Sequence, residues 1–284
     1  MLTVAIQKKG RLFDETKRLL NDCGISFNGG KNTKLLADSP DFPIRVLFLR
    51  DDDIPECVSD AVADVGIVGE NEYLEKGKPL EIVKRLGFAR CRLSIAVPKD
   101  LKYESIKDLE GKSIATSYPE VLKKFLKEKD VRCAIRQISG SVEITPKIGL
   151  ADAVFDIVST GSALISNGLR EMETAVKSEA VLIARSDLEA EKAEILKRLI
   201  FRIDAVKKAR NNKYVLLNAP NEKIEEICAL LPGMKSPTVL PLAESGWSSI
   251  HSVISEKEFW ENIESLKKAG AQGILIIPIE KMIV

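Results

Sequence analysis

The sequence predicts an α/β protein: two α/β lobes flanking a cleft, then a smaller C-terminal domain. Three observations lead there. Short, continuously apolar runs alternate with segments of helical spacing, the pattern of sheets covered on both faces. That pattern starts afresh near Cys91. After Arg210-Asn211-Asn212 the order becomes strand, helix, strand, strand, helix, strand, the ferredoxin-like βαββαβ arrangement. The expected domains are a first lobe of residues 1–91 plus about 179–208, a second lobe of 92–178, and a C-terminal domain of 211–284.

Leu2 to Ile6 is a short apolar strand, and Gln7-Lys8-Lys9-Gly10-Arg11-Leu12 a basic turn. Phe13 to Cys23 has helical spacing, with Leu19, Leu20 and Cys23 apolar and Asp14 suited to the cap. The turn is either an anion site or a solvated lysine pair. Ile44 to Leu49 is a strand ending in Arg50-Asp51-Asp52-Asp53-Ile54-Pro55. Its carboxylates suit Mg²⁺, a ribose or a helix cap, and Pro55 fits a helix start. Val58 to Ala63 would complete that helix. Asp64 to Asn71 is an apolar strand closing on Gly69-Glu70-Asn71. Ligands of such sheets bind off the carboxyl ends of strands, where these three turns sit. Glu81 to Leu86 is a further strand.

Cys91 to Pro98 opens the second lobe as a strand. A short helix at Ser105 to Leu109 follows, then Ser113 to Pro119 as strand and turn, a helix at Glu120 to Lys129, and a strand at Arg132 to Ile138. Gly140 to Glu143 leads into a helix that carries Pro146 in its first turn and runs to Leu150. Ala153 to Ile165 then reads as buried strand, tight turn and helix start, with Ser159, Thr160, Gly161 and Ser162 in the turn. Short hydroxyls, a glycine that lets the backbone approach a ligand, and the N–H groups of a following helix make a phosphate cradle. An ordinary strand–turn–helix with Ser/Thr capping would look the same.

Glu179 to Ile183 is a strand, and Glu189 to about Lys208 a long helix with Ile195, Leu199, Ile200 and Ile203 at helical spacing. In the C-terminal domain the strands are Lys213–Asn218, Thr238–Ala243, Trp247–Ile254 and Gly273–Ile279. The helices are Asn221–Leu231 and Glu256–Ala269, the second stopped by Gly270. Such a small unit suits binding or assembly.

Composition narrows the chemistry. Of 284 residues, 45% are hydrophobic and 30% charged, with a net charge of +1, so no bulk charge points to nucleic acid. No window approaches a membrane span, and Met1 to Ile6 is too short for a secretory apolar region, which predicts a cytoplasmic protein. The five cysteines form no C-x-x-C pair and read as free thiols. His251 is the single histidine, which argues against a Ser-His-Asp triad or a multi-histidine zinc site.

Several runs now resemble one family. Glu143, five residues, then Gly149-Leu150-Ala151-Asp152-Ala153-Val154-Phe155-Asp156-Ile157-Val158-Ser159-Thr160-Gly161 is similar to the signature of the ATP phosphoribosyltransferases, which open histidine biosynthesis. Lys8-Lys9-Gly10-Arg11-Leu12, Arg50 to Pro55, Gly66 to Asn71, Arg90-Cys91-Arg92-Leu93 and Ala115 to Pro119 resemble its other hallmarks. The tail from Ser236-Pro237-Thr238-Val239 through Pro278 to Met282 resembles the regulatory domain of its long form. One position departs: the family usually has a second hydroxyl where this chain has Ala163. Either Ser162 supplies that donor, or the phosphate is held by one bond fewer, a loss of about 0.5–1.5 kcal/mol, or more where the bond is to a charged group.

The resemblance implies two periplasmic-binding-protein-like lobes and a reaction. N1 of the adenine of ATP attacks the anomeric carbon of phosphoribosyl pyrophosphate, and pyrophosphate leaves, with Mg²⁺ required. It implies feedback inhibition by histidine at the C-terminal domain and assembly into dimers and hexamers, with no nucleic-acid or membrane partner. Both substrates are polyanions, so the work is positioning and charge stabilisation. Ser159, Thr160, Gly161 and Ser162 would hold the 5′-phosphate, with Asp156 on the ribose hydroxyls or assisting Mg²⁺. Lys9, Arg11, Arg50 and Arg92 would meet pyrophosphate and triphosphate. Asp51, Glu70 and Asn71 would contact the nucleotide. Tyr118 would stack on adenine or serve as a core tyrosine. Glu143 would orient N1 or receive a proton from the adenine amino group. For histidine the family pattern maps to Asn218, Ser236, Thr238, Ala271 and Gly273; Asn218 stands where an acid is common, so the ammonium partner lacks its charge. The rival reading is a non-catalytic nucleotide or amino-acid sensor, which would have lost phosphate and cation positions.

Overall fold

The computed structural model describes residues 1–28, 35–231 and 233–284. The chain divides into two compact units, Met1–Leu196 and Lys197–Val284. The first begins with β1 (Leu2–Gln7), α1 (Arg11–Asp22), β2 (Leu36–Asp38), β3 (Ile44–Leu49), α2 (Ile54–Ser59), β4 (Val65–Gly69), α3 (Glu70–Lys76) and β5 (Glu81–Arg85). A second lobe follows: β6 (Cys91–Pro98), β7 (Ser113–Thr116), α4 (Pro119–Glu128), β8 (Ala134–Gln137), β9 (Ala153–Val158), α5 (Ser162–Ser166) and β10 (Leu169–Ser178). The chain then returns through β11 (Ala180–Ala184) to α6 (Ala190–Arg210).

The first sheet has the order β2-β3-β1-β4-β11-β5 and the second β10-β6-β9-β7-β8. Neither sheet is wholly parallel. In the first, β1 runs parallel to β3 and β4, while β11 runs antiparallel to β4 and β5. In the second, β7 runs parallel to β8 and β9, while β6 runs antiparallel to β9 and β10. The cause is the two crossings between lobes, at Leu86–Arg90 and Ser178–Glu179. The strands that receive the chain, β6 and β11, start at the edge where β1, β3, β4, β7 and β9 end. The ligand-binding edges of both sheets therefore adjoin.

Buried side chains explain the packing. In α1, Phe13, Thr16, Leu19 and Leu20 form one buried face. Its N-cap is Gly10, with no side-chain cap, so Asp14 lies in the first turn instead of capping; its N–H donates to the Gly10 carbonyl at 3.1 Å. The helix expected to reach Ala63 stops at Ser59, and Ala61 has φ +63°. From 140 to 150 the expected helix is only a 3-10 turn at Val142–Ile144 and loose turns. Ser141 (φ +51°) precedes it, Gly149 (φ +71°) ends it, and Pro146 has no N–H to donate. The ten-residue β10 escaped the sequence reading because two register shifts, at Glu171/Glu173 and Thr174/Val176, break its alternation.

Gly66 lets α2 lie against the centre of the first sheet. A Cβ there would stand 2.5 Å from Ile54 Cγ2 and 3.1 Å from Val58 Cγ2, both on fully buried α2 residues. Gly66→Ala is expected to destabilise the protein by about 1–3 kcal/mol through overpacking, read as a fall in thermal midpoint. An unchanged midpoint would mean that α2 moves away freely.

The second unit comprises β12 (Asn212–Pro220), α7 (Ile224–Leu230), β13 (Thr238–Pro241), β14 (Trp247–Ser255), α8 (Glu256–Lys268) and β15 (Gln272–Pro278). Its boundary falls inside α6, ahead of the expected start at 211. The sheet order is β13-β14-β12-β15, and every pair is antiparallel, the ferredoxin-like topology. Val215, Leu217, Ile227, Ile250, Phe259 and Leu266 build its core. A reciprocal Ser255–Glu258 capping box starts α8.

Candidate active site

The adjoining strand edges collect most of the residues singled out for the two substrates. From the first lobe come Lys9 after β1, Arg11 at the start of α1, Arg50 and Asp51 after β3, and Glu70 and Asn71 after β4. From the second come Arg92 on β6, Tyr118 after β7, and Asp156 to Ser162 on β9 and its turn.

Ser159 is one point at which the lobes meet. Arg11 Nη2 donates to its Oγ at 3.4 Å, and Arg92 Nη1 donates to its carbonyl at 3.3 Å. Arg92 is itself aimed by Glu171, which takes Nε at 2.5 Å and also Nη2. That guanidinium, with the Ser94 hydroxyl at 2.8 Å, holds the Glu171 carboxyl below its usual range. Next in the turn, the Thr160 and Ser162 hydroxyls lie 3.0 Å apart. Gly161 has φ +80°, the left-handed conformation that the turn needs. The helix beyond it, α5, has only five residues, so the hydroxyls and turn N–H groups matter more than any helix dipole. Ala163 offers its carbonyl to Ser166 and Asn167, and Ser162 supplies the hydroxyl nearest to Thr160.

Beside Ser159 lies a cavity of about 560 Å³. Arg85, Arg90, Arg92 and Lys177 give it four cations; Glu70 and Glu179 offset charge at Arg85 and Arg90, and Glu171 at Arg92. Glu70 is buried and held bidentate by Arg85, at 2.5 and 2.6 Å. A second cavity of about 380 Å³ carries Lys8, Lys9 and Arg50 beside Asp51 and Asp52. Sequence reasoning missed Arg85, Lys177 and Glu171. Arg85 closes a strand as Arg50 follows one, a signal that was available; Lys177 and Glu171 lie on the unrecognised β10.

Asn71 and Tyr118 are buried in a polar cluster. The Tyr118 hydroxyl donates to Glu72 Oε1 at 2.8 Å, and Asn71 Nδ2 reaches both groups at 3.2 Å. Ser178 Oγ donates to Asn71 Oδ1 at 2.9 Å and accepts from its backbone N–H at 3.1 Å. Burial, with Asp51 and Asp52 adding repulsion, pushes the Glu72 carboxyl up to about 7 against the opposing pull of Tyr118 and Lys76. The folded state therefore binds this proton more tightly than the unfolded chain. The stability it confers is complete below the ordinary value of 4.5 and is lost as pH rises through about 7. Glu72→Gln, which cannot ionise, should abolish that dependence. Above pH 7 the variant should gain about 2–3 kcal/mol over the parent relative to pH 4, measured by denaturant titration. Parallel stability curves would contradict the assignment.

Asp156 faces Ser94 across the β6–β9 pairing. Burial raises its carboxyl, the Ile157 N–H opposes that, and the charge of Glu143 raises it further. Among the described residues, no three His, Cys, Asp or Glu side chains gather as a metal-binding group.

In the second unit, Asn218 pairs with Ser249 on one side and Gln272 on the other. A Cβ on Gly273 would stand 3.5 Å from Asn218 Nδ2, and Ala271 is buried just before β15. Thr238 is not beside them, since β14 separates β13 from β12; it pairs with His251. Ser236 lies by Gly233. The His251 ring is held between the Tyr214 hydroxyl at 2.7 Å and the Ser249 hydroxyl at 3.0 Å.

Fold and site together define a two-lobed α/β protein with a cation-lined cleft and a second, small domain. The family profile for ATP phosphoribosyltransferase matches residues 50–205, and the profile for that family's C-terminal domain matches 209–281. The chain belongs to the ATP phosphoribosyltransferase family. An ATP phosphoribosyltransferase of Parabacteroides distasonis is 59% identical over 284 residues, covering all of both chains. An ATP phosphoribosyl transferase chain from a Thermotoga maritima HisG:HisZ complex is 27% identical, with a TM-score of 0.61, covering 72% of this chain and 99% of that one. A substrate-binding protein of an amino-acid ABC transporter, 12% identical with a TM-score of 0.50 over 73% of this chain and 93% of its own, shares the two-lobed fold. The cations and hydroxyls that a non-catalytic homologue would lose are present, which supports catalysis over sensing. Among the described residues, no helix is long and apolar enough to cross a membrane.

Proposed function

We propose that the protein transfers the phosphoribosyl group of phosphoribosyl pyrophosphate to N1 of ATP and releases pyrophosphate, the first step of histidine biosynthesis. The observation that carries this reading is the convergence of Arg11 and Arg92 on Ser159, beside a cavity with four cations. The donor's 5′-phosphate sits in the Ser159–Ser162 turn, with Asp156 accepting from the ribose hydroxyls. Lys9, Arg11 and Arg50 neutralise charge on the departing pyrophosphate. Arg92, Asp51, Glu70, Asn71 and Tyr118 bind or frame ATP, and Glu143 orients N1 or receives a proton from the adenine amino group. Glu70 does this indirectly, by fixing Arg85.

The residues fit Mg²⁺ carried mainly by substrate phosphates, since that ion needs only one or two protein carboxylates. Asp156, a half-buried carboxyl on β9, would be the protein's contribution. The ion would add charge neutralisation at the pyrophosphate. Histidine binds the second unit around Asn218, Ala271 and Gly273, with Ser236 and Thr238 contributed from elsewhere on that domain or from a second copy. The protein works in the cytoplasm as a dimer and a hexamer.

The test is a reaction with ATP, phosphoribosyl pyrophosphate and Mg²⁺, followed by ultraviolet absorbance with and without histidine. Absorbance should rise only when both substrates and the ion are present, and histidine should slow it. Pyrophosphate release without ATP would overturn the transfer reading.

A further inference from the structure

Helix α4 begins without a cap of its own. Its N-cap residue is Tyr118, which makes no side-chain capping bond, and Pro119 has no N–H. The next two N–H groups, of Glu120 and Val121, would be orphans of the first turn. A carboxylate from the other lobe takes both. Glu75, on α3, accepts from the Glu120 N–H at 3.1 Å with each of its oxygens, and from the Val121 N–H at 3.0 Å with Oε2. A negative charge at that end of a ten-residue helix also meets the helix dipole favourably.

The same face of α3 holds the residue that starts α4. Asn71 and Glu72 lie four and three positions before Glu75, and both bond the Tyr118 hydroxyl. Ser178, at a crossing between lobes, fixes Asn71 from behind.

We propose that α3 clasps α4 across the two lobes, and that Glu75 is a positioning residue for the reaction: it seats the first turn of α4 and thereby the Tyr118 side chain. The proposal rests on the reading that Tyr118 borders the ATP site. Glu75 need touch no substrate.

Glu75→Ala and Glu75→Gln in the full chain test it, by hydrogen exchange and steady-state kinetics together. Glu75→Ala should speed exchange of the Glu120 and Val121 amides about tenfold or more, leaving the sheets protected. It should raise KM for ATP about tenfold, the size of one lost charge-assisted contact, with kcat and KM for phosphoribosyl pyrophosphate within about twofold. Glu75→Gln keeps a carbonyl acceptor and should recover most of both effects. Unchanged exchange overturns the clasp. Faster exchange with unchanged KM for ATP overturns the positioning role, and Tyr118→Ala then locates the fault. If Tyr118→Ala raises KM for ATP, Glu75 does not seat Tyr118; if it does not, the ATP reading of Tyr118 fails.

Discussion

Thr160→Val is expected to lower kcat/KM for phosphoribosyl pyrophosphate by about 10- to 100-fold while leaving KM for ATP within about twofold. Valine keeps the shape of threonine and removes only the hydroxyl. In the unbound turn that hydroxyl sits 3.0 Å from Ser162 Oγ, in a loop whose conformation Gly161 sets. With a phosphate bound, both hydroxyls would turn to the dianion, and a bond to a charged group is worth about 1.5–3 kcal/mol. The following helix is too short to make up the loss. A variant equally impaired toward both substrates would contradict the cradle, because ATP has no role for this turn in the account.

Asn218→Leu is expected to raise the histidine concentration for half-inhibition at least about tenfold, with the uninhibited rate unchanged. Asn218 presents its amide 3.5 Å from where a Cβ on Gly273 would stand, at the register shift between β12 and β15. Leucine matches its size and removes both donor and acceptor. Removing the whole domain would be a poorer test. The second unit begins at Lys197, so cutting at 211 would divide that compact unit and remove all of its sheet. Full histidine sensitivity in Asn218→Leu would move the effector site elsewhere.

Much of this was legible in the sequence, for identifiable reasons. Short apolar runs such as Val4-Ala5-Ile6 and Ala153-Val154-Phe155 are buried on both faces and announce themselves. The βαββαβ order came through because its turns and the Ser255–Glu258 box are local signals. Strand direction was not legible, because β6 and β11 run opposite to their neighbours only as a result of the crossings between lobes. Tertiary partners were equally hidden. Nothing local says that Glu171 aims Arg92, that Arg85 occupies Glu70, or that Glu75 caps a helix 45 residues away. The helix expected at 140–150 failed on backbone grounds, since Ser141 and Gly149 both take positive φ.

The Ser159–Ser162 turn is proposed to hold the donor's 5′-phosphate, and the neighbouring cations its pyrophosphate. The most direct measurement is a crystal structure of the full chain with phosphoribosyl pyrophosphate and Mg²⁺. The 5′-phosphate is expected on the N–H and hydroxyl groups of Ser159 to Ser162, with Asp156 at the ribose hydroxyls. Pyrophosphate in that turn, or the 5′-phosphate beside Lys9 and Arg50, would contradict it.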